Sequence, residues 1–96
     1  MTSIIAHLNK FFDSRVRLGI MSILSVNESA DFNTMKELMD ITDGNLASHL
    51  KALENIQYLQ SKKQFIGRKP NTQYEITELG RNSFQVHLSA LEELFG

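Results

Sequence analysis

Cysteine and tryptophan are absent from the 96 residues, and proline occurs once, at position 70. Without cysteine there is no disulfide framework, no thiolate nucleophile and no thiolate zinc site. That absence fits a reducing cytoplasm, where the protein is expected to work. Net charge is nearly absent too, at −1. No apolar run approaches the roughly 20 residues that a membrane-spanning helix needs. Ile4 and Ile5 are soon interrupted by His7, Asn9 and Lys10, so the start lacks a signal-peptide pattern. Glycine-rich phosphate loops, nucleophile elbows and paired acids in a cleft context are missing, which argues against an enzyme. Asp40 and Asp43 flank a turn and read as helix-end residues. His7, His49 and His87 are widely spaced, and a closed transition-metal site needs three or four ligands. His87, near Glu92 and Glu93, reads as a partly exposed residue of the last helix. Neither a metal nor a cofactor is expected.

What is present is a soluble composition with 42% hydrophobic and 22% charged residues. It supports a single domain over residues 1–96 with one modest core. The charges are unevenly placed. Residues 43–73 hold five Lys/Arg (Lys51, Lys62, Lys63, Arg68, Lys69) against two acids (Asp43, Glu54). Residues 74–96 hold one against four. Local sign rather than the total makes an electrostatic footprint, so the middle third is the candidate for an anionic partner.

Periodicity gives the elements. Residues 3–12 place Ile4, Leu8 and Phe11 at helical spacing, with Ile5 and Phe12 alongside, predicting a short helix with a broad apolar face. Asp13 or Ser14 caps the next helix, with Val16, Ile20, Ile23 and Leu24 inward and Arg15 and Arg17 elsewhere as surface or salt-bridge residues. Asn27 to Asp31 is a polar break. Asn33 then caps "TMKELMDI", burying Met35, Leu38 and Ile41. Thr42 or Asp43 caps "NLASHLKALENI", where Leu46, Leu50 and Leu53 form one stripe. Gly44, Ser48, Lys51, Ala52 and Asn55 lie opposite it, beside Asn45. The period then shortens: "YLQSKKQFI" and "TQYEIT" read as strands of a hairpin whose long tip is "GRKPN". In that tip Gly67 allows the bend, while Pro70 stiffens the chain and biases Lys69 toward extension. Thr77 caps a last helix with Phe84, Leu88, Leu91 and Phe95 at four-three-four spacing.

Three core helices, a basic hairpin and terminal helices, mainly α with a small β-hairpin (α+β), are the element order of a winged helix-turn-helix. A helix fits the major groove of B-DNA, and small polar side chains on it reach base edges. Asn45, Ser48 and His49 meet that need near the start of the helix over about 43–56. Its N-terminus, with free N–H groups, suits a phosphate. His49 lies about 60° from the middle of the buried stripe, so packing at the core edge is the other reading for it. The wing over 66–72 suits the backbone or a narrow minor groove. The expected DNA contacts are Asp43, Gly44, Asn45, Ser48, His49 and Lys51 on the helix, and Lys62, Lys63, Arg68 and Lys69 on the wing.

Four stretches, "SRVRLGIMSIL", "FNTMKELMDIT", "DGNLASHLKALE" and "FIGRKPNTQYEITELGR", resemble the winged helix transcriptional regulators related to the MarR and ArsR families. The likeness is greatest to their short, single-domain winged helix DNA-binding group, and it covers most of residues 14–81. It implies a homodimeric, sequence-selective binder of double-stranded DNA without catalysis, with repression as the expected mode. A small-molecule effector of unassigned identity fits the same group. The family usually carries glycine where Gln57 closes the recognition helix; a left-handed Gln57 there would cost about 1–2 kcal/mol. Ile4, Ile5 and Leu8 on 1–12, with Phe84, Leu88, Leu91 and Phe95 on 78–96, offer more apolar surface than one small domain can cover. A two-fold dimer through these helices would bury the excess. The competing function is a winged helix used as a protein–protein interaction module without DNA binding.

Overall fold

A computed structural model describes residues 3–96. Helix α1 spans Arg15–Val26, strand β1 Ala30–Asp31, helix α2 Phe32–Met39 and helix α3 Asp43–Asn55. Strands β2 (Leu59–Ile66) and β3 (Lys69–Ile76) follow, and helix α4 spans Glu78–Phe95. The strands form an antiparallel sheet in the order β1-β3-β2. The architecture is the expected α+β winged helix, with four helices and a small sheet.

Each α-helix begins on a side chain that takes a free N–H. Ser14 accepts from Arg17, Asp31 from Thr34, Thr42 from Asn45 and Thr77 from Gly80. Such a cap contributes about 1 kcal/mol. Asp31, not Asn33, starts α2: its carboxylate lies 2.7 Å from the Thr34 nitrogen. Asp31 has extended backbone as a cap requires, and it also closes β1. The polar break therefore holds a two-residue strand, in which Ala30 pairs with Tyr74 and Asp31 with Gln73.

The core gathers Phe12, Ile20, Met21, Leu24, Met35, Leu46, Leu50, Leu53, Leu59 and Phe84. The α3 leucines are fully buried, each contributing about 1.5–3 kcal/mol over exposure. In α1 Met21 takes the place expected for Ile23, which is half-buried. Leu38 is 66% exposed, not buried, because α2 is a single two-turn helix starting earlier than expected. Ile41 follows its left-handed end at Asp40 (φ 51°) and packs on the core from the turn.

The N-terminal helix expected over 3–12 is not formed, and residues 1–2 of the terminal 1–12 segment lie outside the described residues. Residues 4–7 are turns, and only Lys10–Phe12 make a 3-10 turn. Asn9 is the reason. Its side chain accepts from the Phe11 N–H and donates to the Tyr58 hydroxyl, while its own N–H goes to His87 Nδ1. A side chain that satisfies backbone groups locally competes with the helix. His87 is thereby not a surface histidine: it is 4% exposed, against the Phe12 ring.

The hairpin tip is two residues long, not five. Ile66 pairs with Lys69 and Phe65 with Pro70, leaving only Gly67 and Arg68 in the turn. Gly67 is left-handed (φ 64°) and Arg68 is not, the pattern of a type II′ turn with glycine first. Pro70 is tolerated because β1 reaches only Gln73 and Tyr74, so β3 is an edge strand at that point. Residues 60–70 are all exposed, and the molecule is 57 Å long against 25 and 21 Å. No helix among the described residues is long and apolar enough to cross a membrane.

Candidate nucleic-acid interface

Helix α3 is held from four sides. Its buried stripe fixes its rotation, and Thr42 fixes its start. Lys36 of α2 meets Asp43 at 2.7 Å, a surface pair contributing about 0–1 kcal/mol. At its other end Ser61 of β2 donates to Glu54 at 3.0 Å. Gln57 turns the chain in the left-handed region (φ 64°), the conformation that the family's usual glycine would favour there. The Thr77 hydroxyl donates to the Gln57 carbonyl at 2.6 Å, and the Thr77 N–H to the Tyr58 carbonyl at 3.0 Å. Gly80 then lies so close to Tyr58 that a Cβ there would overlap the Tyr58 carbonyl oxygen. The junction thus sets the angle between α3 and the wing.

The stripe leaves Gly44, Asn45, Ser48 and Lys51 exposed on one face of α3. Asp43 is exposed at the helix start with its carboxylate on Lys36, so among the expected contacts it is already engaged. His49 is half-buried, and both readings of it find a basis. Its Nδ1 accepts from Arg17 Nε at 3.0 Å, while its place one turn beyond Asn45 keeps it at the rim of the exposed face. Burial first and the Arg17 charge second hold its pKa below the ordinary 6.5. Arg17 is therefore not a surface or ion-pair residue. It also donates to the Phe11 carbonyl at 3.2 Å and stacks 4.3 Å above the Phe11 ring.

The wing separates its cations. Residues opposed across a ladder share a face, and neighbours alternate. Lys62 faces with Gln73, and Lys63 with Thr72, so the two lysines lie on opposite faces. Lys63 shares the side of Leu59, the buried end of β2. Lys69 lies on the side of Lys62, and Arg68 projects from the turn. The base of that outer face is braced: Asn71 donates to Asp31 at 3.2 Å and accepts from Gln73 at 2.8 Å. Hydrogen bonding from Thr34, with a smaller part from Asn71, lowers the Asp31 pKa below its usual value against the effect of burial. Phe65 and Ile66 are exposed beside the tip, which their apolar character did not announce.

The terminal surfaces divide in two. Phe84 is core, packed edge-on against Phe12 at 5.5 Å, and is no seam residue. Leu88 also leans on that core. Leu8 and Leu91 are half-buried. Ile4, Ile5, Val86 and Phe95 are open, Phe95 at 87%. Among the described residues no cluster of three or more His, Asp or Glu could hold a metal ion.

Residues 16–95 match the sequence profile of a family described as the winged helix DNA-binding domain. The chain is 38% identical over 85 residues to an uncharacterized protein of Methanocaldococcus jannaschii, covering 88% of this chain and 92% of that one. It superposes on a transcriptional regulator homologue of Pyrococcus horikoshii OT3 with a TM-score of 0.79 and 33% identity, over 96% of this chain and 84% of the other. The overoxidized form of AbfR, solved bound to DNA, shares the fold with a TM-score of 0.77 at 15% identity, over 95% of this chain and 66% of AbfR.

Proposed function

Because the chain belongs to the family of winged helix DNA-binding domains, we propose that it is a transcriptional regulator that reads double-stranded DNA with α3 in the major groove. The observation that carries this is the face of α3 itself. Asn45 and Ser48 stand exposed on a helix whose rotation three buried leucines fix. Asn pairs bidentately with adenine, and Ser donates or accepts, so this face can read bases. Lys51 beside it, with the wing cations, supplies phosphate contacts that set the register but carry no sequence information. Arg68, exposed in the turn, suits the backbone or a narrow minor groove.

The assembly proposed is a homodimer. The open side chains Ile4, Ile5, Val86 and Phe95 lie on the two terminal segments, apart from α3 and the wing. A two-fold seam there would cover them and present two copies of α3 to half-sites about one helical turn apart. Occupying such a site blocks other proteins from it, so repression by occlusion in the cytoplasm is the mode proposed, with an effector molecule as its natural control.

The test is binding to random and selected duplexes at about 50 and 200 mM salt. A protein making several phosphate contacts loses orders of magnitude in affinity over that range. Absent or salt-insensitive binding would refute the DNA reading and favour a protein partner. Light scattering at tens of micromolar, roughly where weak dimers appear, tests the seam; a monomer there would end the dimer proposal. Val86→Asp is the suitable seam variant, since Leu88 and Phe84 also serve the core.

A further inference from the structure

We propose that Arg17 locks His49 into a single tautomer, with the ring proton on Nε2, and so makes His49 a one-way hydrogen-bond donor at the edge of the DNA-reading face. The inference rests on the DNA reading above and assigns a positioning role to a residue outside α3.

Arginine stays protonated and offers only donors. Its Nε lies 3.0 Å from His49 Nδ1. Two donors cannot share that bond, so Nδ1 must be the unprotonated acceptor. A neutral imidazole has one N–H, which therefore sits on Nε2. Arg17 is not free to swing away. Its Nη1 donates to the Phe11 carbonyl at 3.2 Å, and its guanidinium lies 4.3 Å over the Phe11 ring. Phe11 is fixed in turn by the 3-10 turn whose cap, Asn9, binds Tyr58 and His87. The lock is thus built on α1 and the N-terminal segment, not on the recognition helix.

Among the described residues His49 Nε2 has no hydrogen-bond partner, and no buried side-chain nitrogen or oxygen lacks one. Nε2 therefore reaches solvent. It does so one helical turn beyond the exposed Asn45, on the flank of the same face. A donor there matches an acceptor on a major-groove edge. Guanine presents two, O6 and N7, whereas the cytosine amino group is itself a donor and is rejected.

Protonating the ring would place an N–H on Nδ1 against the Arg17 N–H, and two positive charges side by side. Among the described residues Arg17 is the charged group that acts on His49. Burial first and the Arg17 charge second thus both favour the neutral ring.

Long-range proton–nitrogen correlation spectra of the labelled protein above pH 7 read the tautomer directly. The expected pattern for His49 is a protonated Nε2 and a bare Nδ1; a protonated Nδ1, or an averaging mixture, would overturn the lock. In Arg17→Met the His49 titration midpoint should rise toward the ordinary histidine value, and an unmoved midpoint would overturn it equally. The base-facing half is read by selection from a random duplex library, which does not depend on Arg17→Met folding. His49→Gln keeps an N–H near the Nε2 position and should hold the preferred base at one position per half-site. His49→Asn, too short to reach, should lose that preference by about 10-fold or more, the scale of one good base contact. Identical selections by all three proteins would refute the proposal while leaving the DNA reading intact. No selected sequence even from the unmodified chain would refute both.

Discussion

Replacing Gln57 with glycine should stabilise the protein, by an amount that follows from the backbone. Gln57 holds φ at 64° between α3 and β2. A side chain in that region clashes with the following carbonyl and costs about 1–2 kcal/mol. Glycine removes the clash but frees the unfolded chain, which takes back about 0.4–1 kcal/mol. Nothing else changes sign. Gln57 is exposed, so no packing is lost. Its hydrogen bonds here are backbone ones: its N–H to the Glu54 carbonyl at 2.9 Å, and its own carbonyl to the Thr77 hydroxyl. Glycine keeps both. The net expectation is a gain centred near about 0.8 kcal/mol (range about 0–1.6), or about 3–6 °C in Tm at the centre for a domain this size. Thermal and urea unfolding at fixed protein concentration measure it. Gln57→Ala is the control, because alanine keeps the Cβ and should stay within about 0.5 kcal/mol of the parent. A Gln57→Gly variant less stable than the parent would refute the strain. Duplex affinity should not move, since the junction keeps its geometry.

The same junction gives the opposite result at Gly80. Gly80→Ala gains about 1 kcal/mol of helix propensity, but the new Cβ would overlap the Tyr58 carbonyl oxygen and sit 2.9 Å from the Tyr58 Cα. Overpacking against backbone typically costs about 1–3 kcal/mol or more, so a lowered Tm is expected and an unchanged one would show that α4 can shift freely. For pH, the His49 pKa lies below 6.5 in the folded chain, so protonation favours unfolding. Stability should begin to fall as pH drops through about 6.5 and finish falling below the folded value; His49→Gln should lack that part of the slope, and urea midpoints between pH 7.5 and 5 compare the two. The lowered Asp31 pKa acts lower down: its stabilisation is complete above about 3.8 and is lost as pH falls through the folded value, a loss that Asp31→Asn should not show. On the wing, Arg68→Ala with Lys69→Ala should flatten the log-affinity against log-salt line by up to about 3–4 units for a dimer, at roughly 0.9 per phosphate contact. A slope equal to the parent's would mean that the tip points away from DNA.

Much of this molecule was decided within a few residues of chain. The four-three spacing of Leu46, Leu50 and Leu53 is enough to rotate α3, and so to expose Asn45 and Ser48, because a helix has one period whatever packs on it. Thr42, Thr77 and Ser14 as caps, and the strand alternation around Gly67, are equally local, since they depend on hydrogen bonds and dihedrals of adjacent residues. A left-handed Gln57 was raised only by the resemblance, through the glycine that the family usually carries there, and the backbone has it at φ 64°. What the sequence left open required groups far apart in the chain to meet. Asn9 binds Tyr58 and His87, 49 and 78 residues away, and that pairing dissolves the expected first helix and buries a histidine. Asp31 displaces Asn33 as a cap because β1 must end where β3 pairs with it. Arg17 finds His49 across 32 residues, which no periodicity announces. Local geometry is set by bonded neighbours, but the partners of polar side chains are chosen by the packing of whole elements, so they become visible only once the core has closed.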